Sequence, residues 1–316
     1  MHDVGRLDWS FADSPVTGAA TSSGLARTVL VGPAQGSAHT ELSAGSLQPN
    51  GWLSRHVHSF EEAFYVLDGE LIFETDGRVH RLVPGDFALN PIGVPHGFAT
   101  GPKAGARWIA VNTPPRRPPD AAVPDTIFTA EPYPVDELLA LARRLTETNG
   151  DPTRRNVGHY EGTGPQAEAL AVHDPARGRA PQGMDVAILA YSGISVKMLV
   201  DRAFGADHLT MFTVDYEIGG AAQAHDHPFE ETYLFLAGTV QAELDGETFT
   251  FGPGDVAFAG VGSVHGFWNE GPERVRWIET QAPQPPPRNA YRWQPAWAKV
   301  AERGVEPWPG HRAGGS

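Results

Sequence analysis

The sequence predicts an all-β protein built from two tandem copies of one barrel, and three observations carry that reading. The first is an internal repeat: Arg55-His56-Val57-His58-Ser59-Phe60-Glu61-Glu62 returns as Ala224-His225-Asp226-His227-Pro228-Phe229-Glu230-Glu231, offset by 169 residues. The same offset holds without a gap for Gly51 and Gly220, Gly69 and Gly238, Asp76-Gly77 and Asp245-Gly246, Pro84-Gly85-Asp86 and Pro253-Gly254-Asp255, and His96-Gly97-Phe98 and His265-Gly266-Phe267. Turns, glycines and histidines that recur at one period mark a duplicated unit. The second observation is a series of short apolar runs bounded by Gly, Pro and Asp, which read as strands. The third is that helical periodicity is nearly absent, so the class is a β-sandwich or barrel. A chain of 316 residues holds about two domains at roughly 100–200 residues each.

Taken in order, the first copy is assigned to residues 1–115. Phe64-Tyr65-Val66-Leu67 and Leu71-Ile72-Phe73 flank Asp68-Gly69, and Asp76-Gly77 breaks the run from Phe73 to Leu82. An Asp-Gly pair between apolar runs is a strong signal for a hairpin turn. A linker over 116–184 follows. It is entered through the proline-rich run 114–119, which reads as stiff and extended. One helix is expected in it, over 134–148: Val135, Leu138, Leu139 and Leu145 recur at helical spacing, Pro134 stands at the start and Asn149-Gly150 at the end. The stretch from Gly150 to Gly183 is polar and rich in Gly and Pro, and a connection that long is a candidate flap. The second copy, with its tail, is assigned to 185–316. Tyr233 to Leu236, Gly238 and Asp245-Gly246 repeat the earlier punctuation, and Trp293, Trp297 and Trp308 in the tail are expected to cover apolar surface.

Composition narrows the function classes. The 24 Lys and Arg against 38 Asp and Glu leave a net charge of -14, which repels a phosphate backbone or an anionic membrane surface. The absence of cysteine removes disulfides, thiolate metal sites, iron–sulfur clusters and a cysteine nucleophile, so any metal must be held by His and carboxylate. No apolar run reaches the roughly 18 residues of a membrane helix, and the expected location is the cytoplasm. The glycine-rich nucleotide loops and the serine nucleophile elbow are also missing from the sequence. The expected partner is therefore a small-molecule substrate, neither nucleic acid nor membrane, with assembly into a homo-oligomer left open.

The histidines carry the chemistry. Residues two apart on a strand point to one face, so His56 and His58 can aim two imidazoles at one point, as can His225 and His227. Glu62 and Glu231, four residues on, can reach back, and His96 and His265 follow a Gly-x-x-His turn that places a third imidazole on a neighbouring strand. Three neutral imidazoles and one carboxylate suit a borderline divalent metal and leave about two octahedral positions open.

This pattern resembles the paired motifs of the cupin superfamily. The first copy reads His56-x-His58-x3-Glu62-x6-Gly69 and Gly85-x5-Pro91-x-Gly93-x2-His96, and the second reads His225-x-His227-x3-Glu231-x6-Gly238 and Gly254-x5-Gly260-x-Gly262-x2-His265-x3-Asn269. Gly260 stands where the motif usually has Pro, and Thr100 where it usually has Asn. The resemblance implies two tandem jelly-roll barrels, a bicupin, with one or two divalent transition metal ions per chain: Fe(II) or Mn(II), with Ni(II) and Zn(II) as alternatives. The ligands it implies are His56, His58, Glu62 and His96, and His225, His227, Glu231 and His265. It does not fix a reaction, since cupins host many.

The expected function is a metal-dependent dioxygenase acting on a small aromatic or enol-bearing molecule, resembling bicupin dioxygenases, with Glu62 or Glu231 taking a substrate proton. Alternatives are a non-redox hydrolase, lyase or decarboxylase resembling ureidoglycine aminohydrolase or oxalate decarboxylase, and a non-catalytic binding or storage protein. The decarboxylases use a Ser-Glu-Asn lid, and no such run occurs here. Around the quartets, Glu61 and Glu230 face away and are expected to be solvated or paired. His39 and His208 are either hydrogen-bond donors behind the ligands or surface residues. Phe98, Phe267 and Trp268 are expected to fill the barrels, and His159 and His173 to be ordinary loop residues.

Overall fold

The structure, a computed structural model, describes residues 1–15, 20–118, 121–128, 133–145, 156–160, 193–285 and 292–293. Each repeat closes into a jelly-roll of antiparallel strands. In the first barrel the 18-residue strand Glu41–His58 runs through both faces. Its first half pairs with Ala106–Thr113, which pairs in turn with Glu61–Gly69 and then Asp86–Asn90, while its second half pairs with His96–Ala99, followed by Leu71–Thr75 and Arg78–Leu82. In the second barrel the equivalent stretch is broken into Thr210–Tyr216 and Ala221–Asp226, which belong to two separate sheets. Alternate residues along these strands face the interior, so each barrel fills with its own apolar side chains, Phe64, Phe73 and Trp108 in one and Phe212, Phe235 and Trp277 in the other.

The Asp-Gly turns fold as their chemistry dictates where both residues take positive φ: Asp76 and Gly77 at 48° and 72°, and Asp245 and Gly246 at 50° and 88°. That is the turn that joins two twisted strands with two residues. Asp68-Gly69 behaves differently and is no hairpin. The strands on either side of it pair with different neighbours, so the chain turns a corner there from one face of the barrel to the other. A Cβ on Gly69 would sit 2.0 Å from the carbonyl oxygen of Gly105, and one on Gly238 2.2 Å from that of Arg274. The corner requires glycine in both copies.

The helix is shorter than its 134–148 pattern suggests, running from Val135 to Leu141. Ala142 is already extended, and Arg143–Arg144 pairs in parallel with the edge strand Arg78–Leu82. Sheet pairing and burial of Leu145 against the first barrel outweigh the continuing apolar period. Linker segments close on that barrel: Thr126–Phe128 pairs with His56–His58, and Val157–His159 pairs with Asp86–Ala88. The assignment of residues 1–115 to one unit also needs correction, because the strand His2–Arg6 pairs with Asp255–Ala259 of the second barrel. Most of the candidate flap, together with His173, Trp297 and Trp308, lies outside the described residues. Among the described residues no helix is long and apolar enough to cross a membrane.

The barrels share one buried apolar cluster, with Val31, Leu42 and Ile109 from the first meeting Met211, Phe258 and Ile278 from the second. A reciprocal polar latch flanks it. Glu61 accepts hydrogen bonds from the backbone N–H groups of Asp207, His208 and Leu209 at 2.8, 3.0 and 3.1 Å. Glu230 accepts from those of Ala38, His39 and Thr40 at 2.8, 2.9 and 3.2 Å, and from the Ser37 hydroxyl at 2.6 Å. Each carboxylate is thus planted in the other barrel's loop, and both are nearly fully buried, at 2% and 3% exposure. Glu61 and Glu230 do face away from the ligands as strand alternation requires, and they are paired across the domain interface. His39 and His208 contribute their amides to this latch while their side chains are exposed, so neither supports the ligands.

Candidate metal centres

Each barrel gathers three histidines: His56 and His58 on the strand Glu41–His58 with His96 on His96–Ala99, and His225 on Ala221–Asp226 and His227 just past its end with His265 on His265–Trp268. A register shift between Leu53 and His56, repeated between Ala222 and His225, places His56 opposite His96 and His225 opposite His265. Such an irregularity re-aims the side chains that follow it. The ring centroids of His56–His58, His56–His96 and His58–His96 are 6.0, 4.2 and 4.7 Å apart, and those of His225–His227, His225–His265 and His227–His265 are 6.0, 4.3 and 4.9 Å apart. In each triad the candidate ligand atoms lie within 4.8 Å of one another, and all six residues are buried.

The tautomers follow from the backbone. Nδ1 of His56, His58 and His96 lies 2.9, 2.6 and 2.9 Å from the carbonyl oxygens of Ser54, Phe60 and Val94. Nδ1 of His225, His227 and His265 lies 2.7, 2.9 and 2.9 Å from those of Gln223, Phe229 and Ser263. A carbonyl can only accept, so each Nδ1 carries the proton and each neutral ring presents an Nε2 lone pair, the arrangement that orients metal-ligating histidines. Phe60 stacks on His58 and Phe229 on His227, both with centroids 3.9 Å apart, which fixes the ring planes. Burial pulls His56 down to about 4 and holds His96 and His225 well below the ordinary histidine range, keeping these rings neutral at pH 7.

The carboxylates complete two quartets of unequal tightness. Glu62 Oε2 lies 3.7 Å from Nε2 of both His58 and His96, while Glu231 Oε2 lies 2.9 Å from that of His227 and 3.1 Å from that of His265. Donors bound about 2.1 Å from one ion and at right angles to each other stand about 3 Å apart. The second quartet has that spacing and the first is wider. In the first, Nε2 of His58 and of His96 is buried with no hydrogen-bond partner among the described residues. Lone pairs aimed at an anionic oxygen in a buried space call for a cation between them, and the donor set fits a divalent metal in both barrels.

The surroundings differ. Glu62 accepts from Asn90 Nδ2 at 2.9 Å. Burial raises its carboxyl, but the imidazole edges of His58 and His96 and the Arg27 guanidinium outweigh burial and leave it well below the usual carboxylate range. Glu231 accepts from the Tyr233 hydroxyl and, at 2.7 Å, from Gln281 Nε2. It too is held low despite burial, by His227 and His265. Beside it Glu279, which accepts from Trp277 Nε1 at 2.9 Å, is pushed well above the usual range by burial and by the Glu231 charge. The positions equivalent to Tyr233 and Glu279 are Phe64 and Ala110. Phe98 lies under the first site, its centroid 5.9 Å from His96, with Phe64, Phe73 and Trp108 around it. Phe267 occupies the equivalent place in the second, and Trp268 beyond it is only partly buried.

Both departures from the motif are explained by local contacts. Thr100 accepts from the Gly51 amide and donates to the Gln48 carbonyl, tying the same turn that Asn269 ties by donating to the carbonyls of Tyr216, Glu217 and Glu273. Gly260 donates its N–H to the Met1 carbonyl at 2.9 Å, and a proline there would have no hydrogen to give to the added N-terminal strand. His159 is not an idle loop residue, for its Nδ1 meets the Asp86 carboxylate at 2.5 Å.

The sequence matches the Cupin domain family over residues 45–112 and again over 212–280. No curated protein sequence matches the chain. Among solved structures, the chain is similar to salicylate 1,2-dioxygenase from Pseudoaminobacter salicylatoxidans in its adduct with gentisate, at 16% identity and a TM-score of 0.61, covering 89% of this chain and 81% of that one. An oxalate decarboxylase variant from Bacillus subtilis is similar at 16% identity and a TM-score of 0.58, covering 95% and 83%. The putative glyoxylate induced protein from Pseudomonas aeruginosa is similar at 15% identity and a TM-score of 0.56, covering 84% and 83%. These likenesses establish the fold. With two Cupin domain matches falling on the two barrels that hold the histidine triads, the chain is a bicupin, a two-domain member of the cupin superfamily.

Proposed function

We propose that this protein is a metal-dependent dioxygenase that acts on a small aromatic or enol-bearing molecule, with the N-terminal barrel as its working site. The observation that carries this reading is the first quartet: three tautomer-fixed Nε2 atoms and a loosely held carboxylate above a floor of aromatic rings. His56, His58, His96 and Glu62 would hold the ion there, and His225, His227, His265 and Glu231 would hold a second. A bound Fe(II) or Mn(II) would supply a Lewis acid able to engage an enolate and dioxygen. The aromatic floor excludes water and offers a face for a flat ring. Phe128, brought in by the linker strand 5.4 Å from His56, adds an apolar wall at the edge of the site. Glu62, which has one side-chain donor on it and stands 3.7 Å from two imidazoles, is the carboxylate free to move and take a substrate proton at Oε2.

The test is oxygen uptake by protein reloaded with Fe(II) or Mn(II), measured against a panel of dihydroxybenzenes and enols. Uptake in step with substrate loss is the expected result. Turnover at full rate without oxygen would overturn the reading and favour a lyase or hydrolase, for which the likeness to oxalate decarboxylase offers support.

A further inference from the structure

The first barrel contains a cationic cluster with no counterpart among the described residues of the second. Glu41 Oε1 accepts three hydrogen bonds, from Arg116 Nε at 2.8 Å, Arg27 Nη2 at 3.0 Å and Asn112 Nδ2 at 3.1 Å. Two guanidiniums therefore share one carboxylate and leave one positive charge in excess. Arg27 Nη2 also donates to the Ser43 hydroxyl at 2.7 Å. Its Nε is buried without a partner among the described residues, although the side chain as a whole is 24% exposed. The only other carboxylate that acts on Arg27 is Glu62, a candidate metal ligand, so the buried Nε donor has no acceptor of its own.

The cluster stands on the same interior face as the metal ligands. Glu41 is registered opposite Asn112, and Asn112 opposite Glu62, so Glu41 lies two strands from the ligand carboxylate. At the usual strand spacing that is about 10 Å, with the small side chains of Ser43 and Ala110 on the next interior rung. The equivalents of Arg27, Glu41 and Arg116 in the second barrel are Val196, Thr210 and Pro285, so among the described residues this cluster has no counterpart there.

We infer that the N-terminal barrel takes a substrate bearing a carboxylate, which docks on Arg27 while the opposite end of the molecule reaches the His56, His58, His96 and Glu62 quartet. Arg27 is then the residue that selects an anionic aromatic or enolic acid over its neutral analogue, and its planar fork suits a carboxylate. Burial and the neighbouring Arg116 draw Arg27 down to about 10, which leaves it cationic at neutral pH. The inference rests on the first quartet being the working metal site, and it is tested without turnover.

The experiment is anaerobic titration calorimetry of the metal-loaded full chain with benzoate and with benzamide, its uncharged counterpart. Benzoate should bind, benzamide about tenfold or more weakly, and Arg27→Gln should weaken benzoate by about tenfold while metal content is unchanged. Glu41→Gln, which frees both guanidiniums, should tighten benzoate, a change that a merely structural role for the cluster would not produce. His227→Ala should leave benzoate binding as it is. The inference is overturned if benzoate does not bind, if benzamide binds equally well, if Arg27→Gln keeps full benzoate affinity, or if Glu41→Gln abolishes binding. Because no oxygen is present, failure of the dioxygenase reading would show only in the uptake assay and leave these affinities intact.

Discussion

In the second barrel Glu231 sits 2.9 and 3.1 Å from two imidazoles, with Tyr233 and Gln281 donating to it and Glu279, its carboxyl pushed up by burial, at its side, whereas in the first barrel Glu62 stands 3.7 Å from both imidazoles with Asn90 on it and a cationic cluster two strands away. The ligand types, their spacing and the carbonyls that fix their tautomers are the same. Duplication has therefore preserved a donor set that fits a metal and let its surroundings diverge. A carboxylate held close by two side-chain donors favours permanence, and a looser carboxylate near a guanidinium with a spare buried donor favours exchange with a ligand.

Removing a ligand from each barrel should break the comparison most sharply. If both barrels are loaded, His58→Ala and His227→Ala should each take away about one metal equivalent of two, and stability should fall by a few kcal/mol as the remaining polar groups are left without their ion. The tighter second quartet should make His227→Ala the more destabilising. Elemental analysis and the thermal midpoint read both effects, and equal losses of stability would show that the difference in spacing has no energetic weight.

Next in size is the latch. Glu230 has four donors and Glu61 three, each carboxylate buried at the domain interface. Glu230→Ala should cost about 3 kcal/mol, since several amides lose a charged acceptor, and Glu61→Ala somewhat less. Each latch residue directly precedes a ligand glutamate, so both variants should also weaken metal retention, in the barrel that carries the substitution. Denaturation followed together with metal release would show it, and unchanged metal release would uncouple interface from site.

The glutamates themselves sharpen the functional half of the comparison. Glu62→Gln should lower turnover by about a hundredfold with little loss of metal, because an amide can still coordinate through oxygen and cannot accept a proton. Glu231→Gln should act in the opposite manner, disturbing the network of Tyr233 and Gln281 and lowering metal retention more than rate. If the rates fall in the reverse order, the working barrel is the second one.

The repeat made the quartets legible, since the ligands, corner glycines and Asp-Gly turns all fall at one offset. That same strength hid what makes the barrels differ. Arg27 against Val196, Phe64 against Tyr233 and Ala110 against Glu279 stand out only where a sequence match fails, and a reading built on matches passes over them. The latch was written in the sequence twice, as Glu61 and Glu230, but its partners lie in the opposite repeat and are backbone amides, which carry no side-chain signal. The helix ends short of its sequence pattern for a related reason: Leu145 keeps the helical period, yet it is buried against the first barrel after the chain has become extended.

The smallest expected effect is on pH dependence, and it bears on both barrels alike. His56 titrates near 4 when folded because it is buried, and near 6.5 when unfolded. Between those values the unfolded chain binds a proton that the folded chain refuses, so stability rises with pH across the window, is fully present above it and is lost as pH falls through it. His96 and His225, also depressed by burial, act in the same direction. The metal-free protein should therefore lose thermal stability steadily from about pH 6.5 downward, whereas the metal affinity of the folded chain should hold until pH nears about 4, where His56 takes up the proton that its Nε2 must lack to bind. His56→Gln should remove its own part of that decline and leave the parts from His96 and His225, so a variant with an unchanged pH profile would show that His56 is not held neutral by its burial.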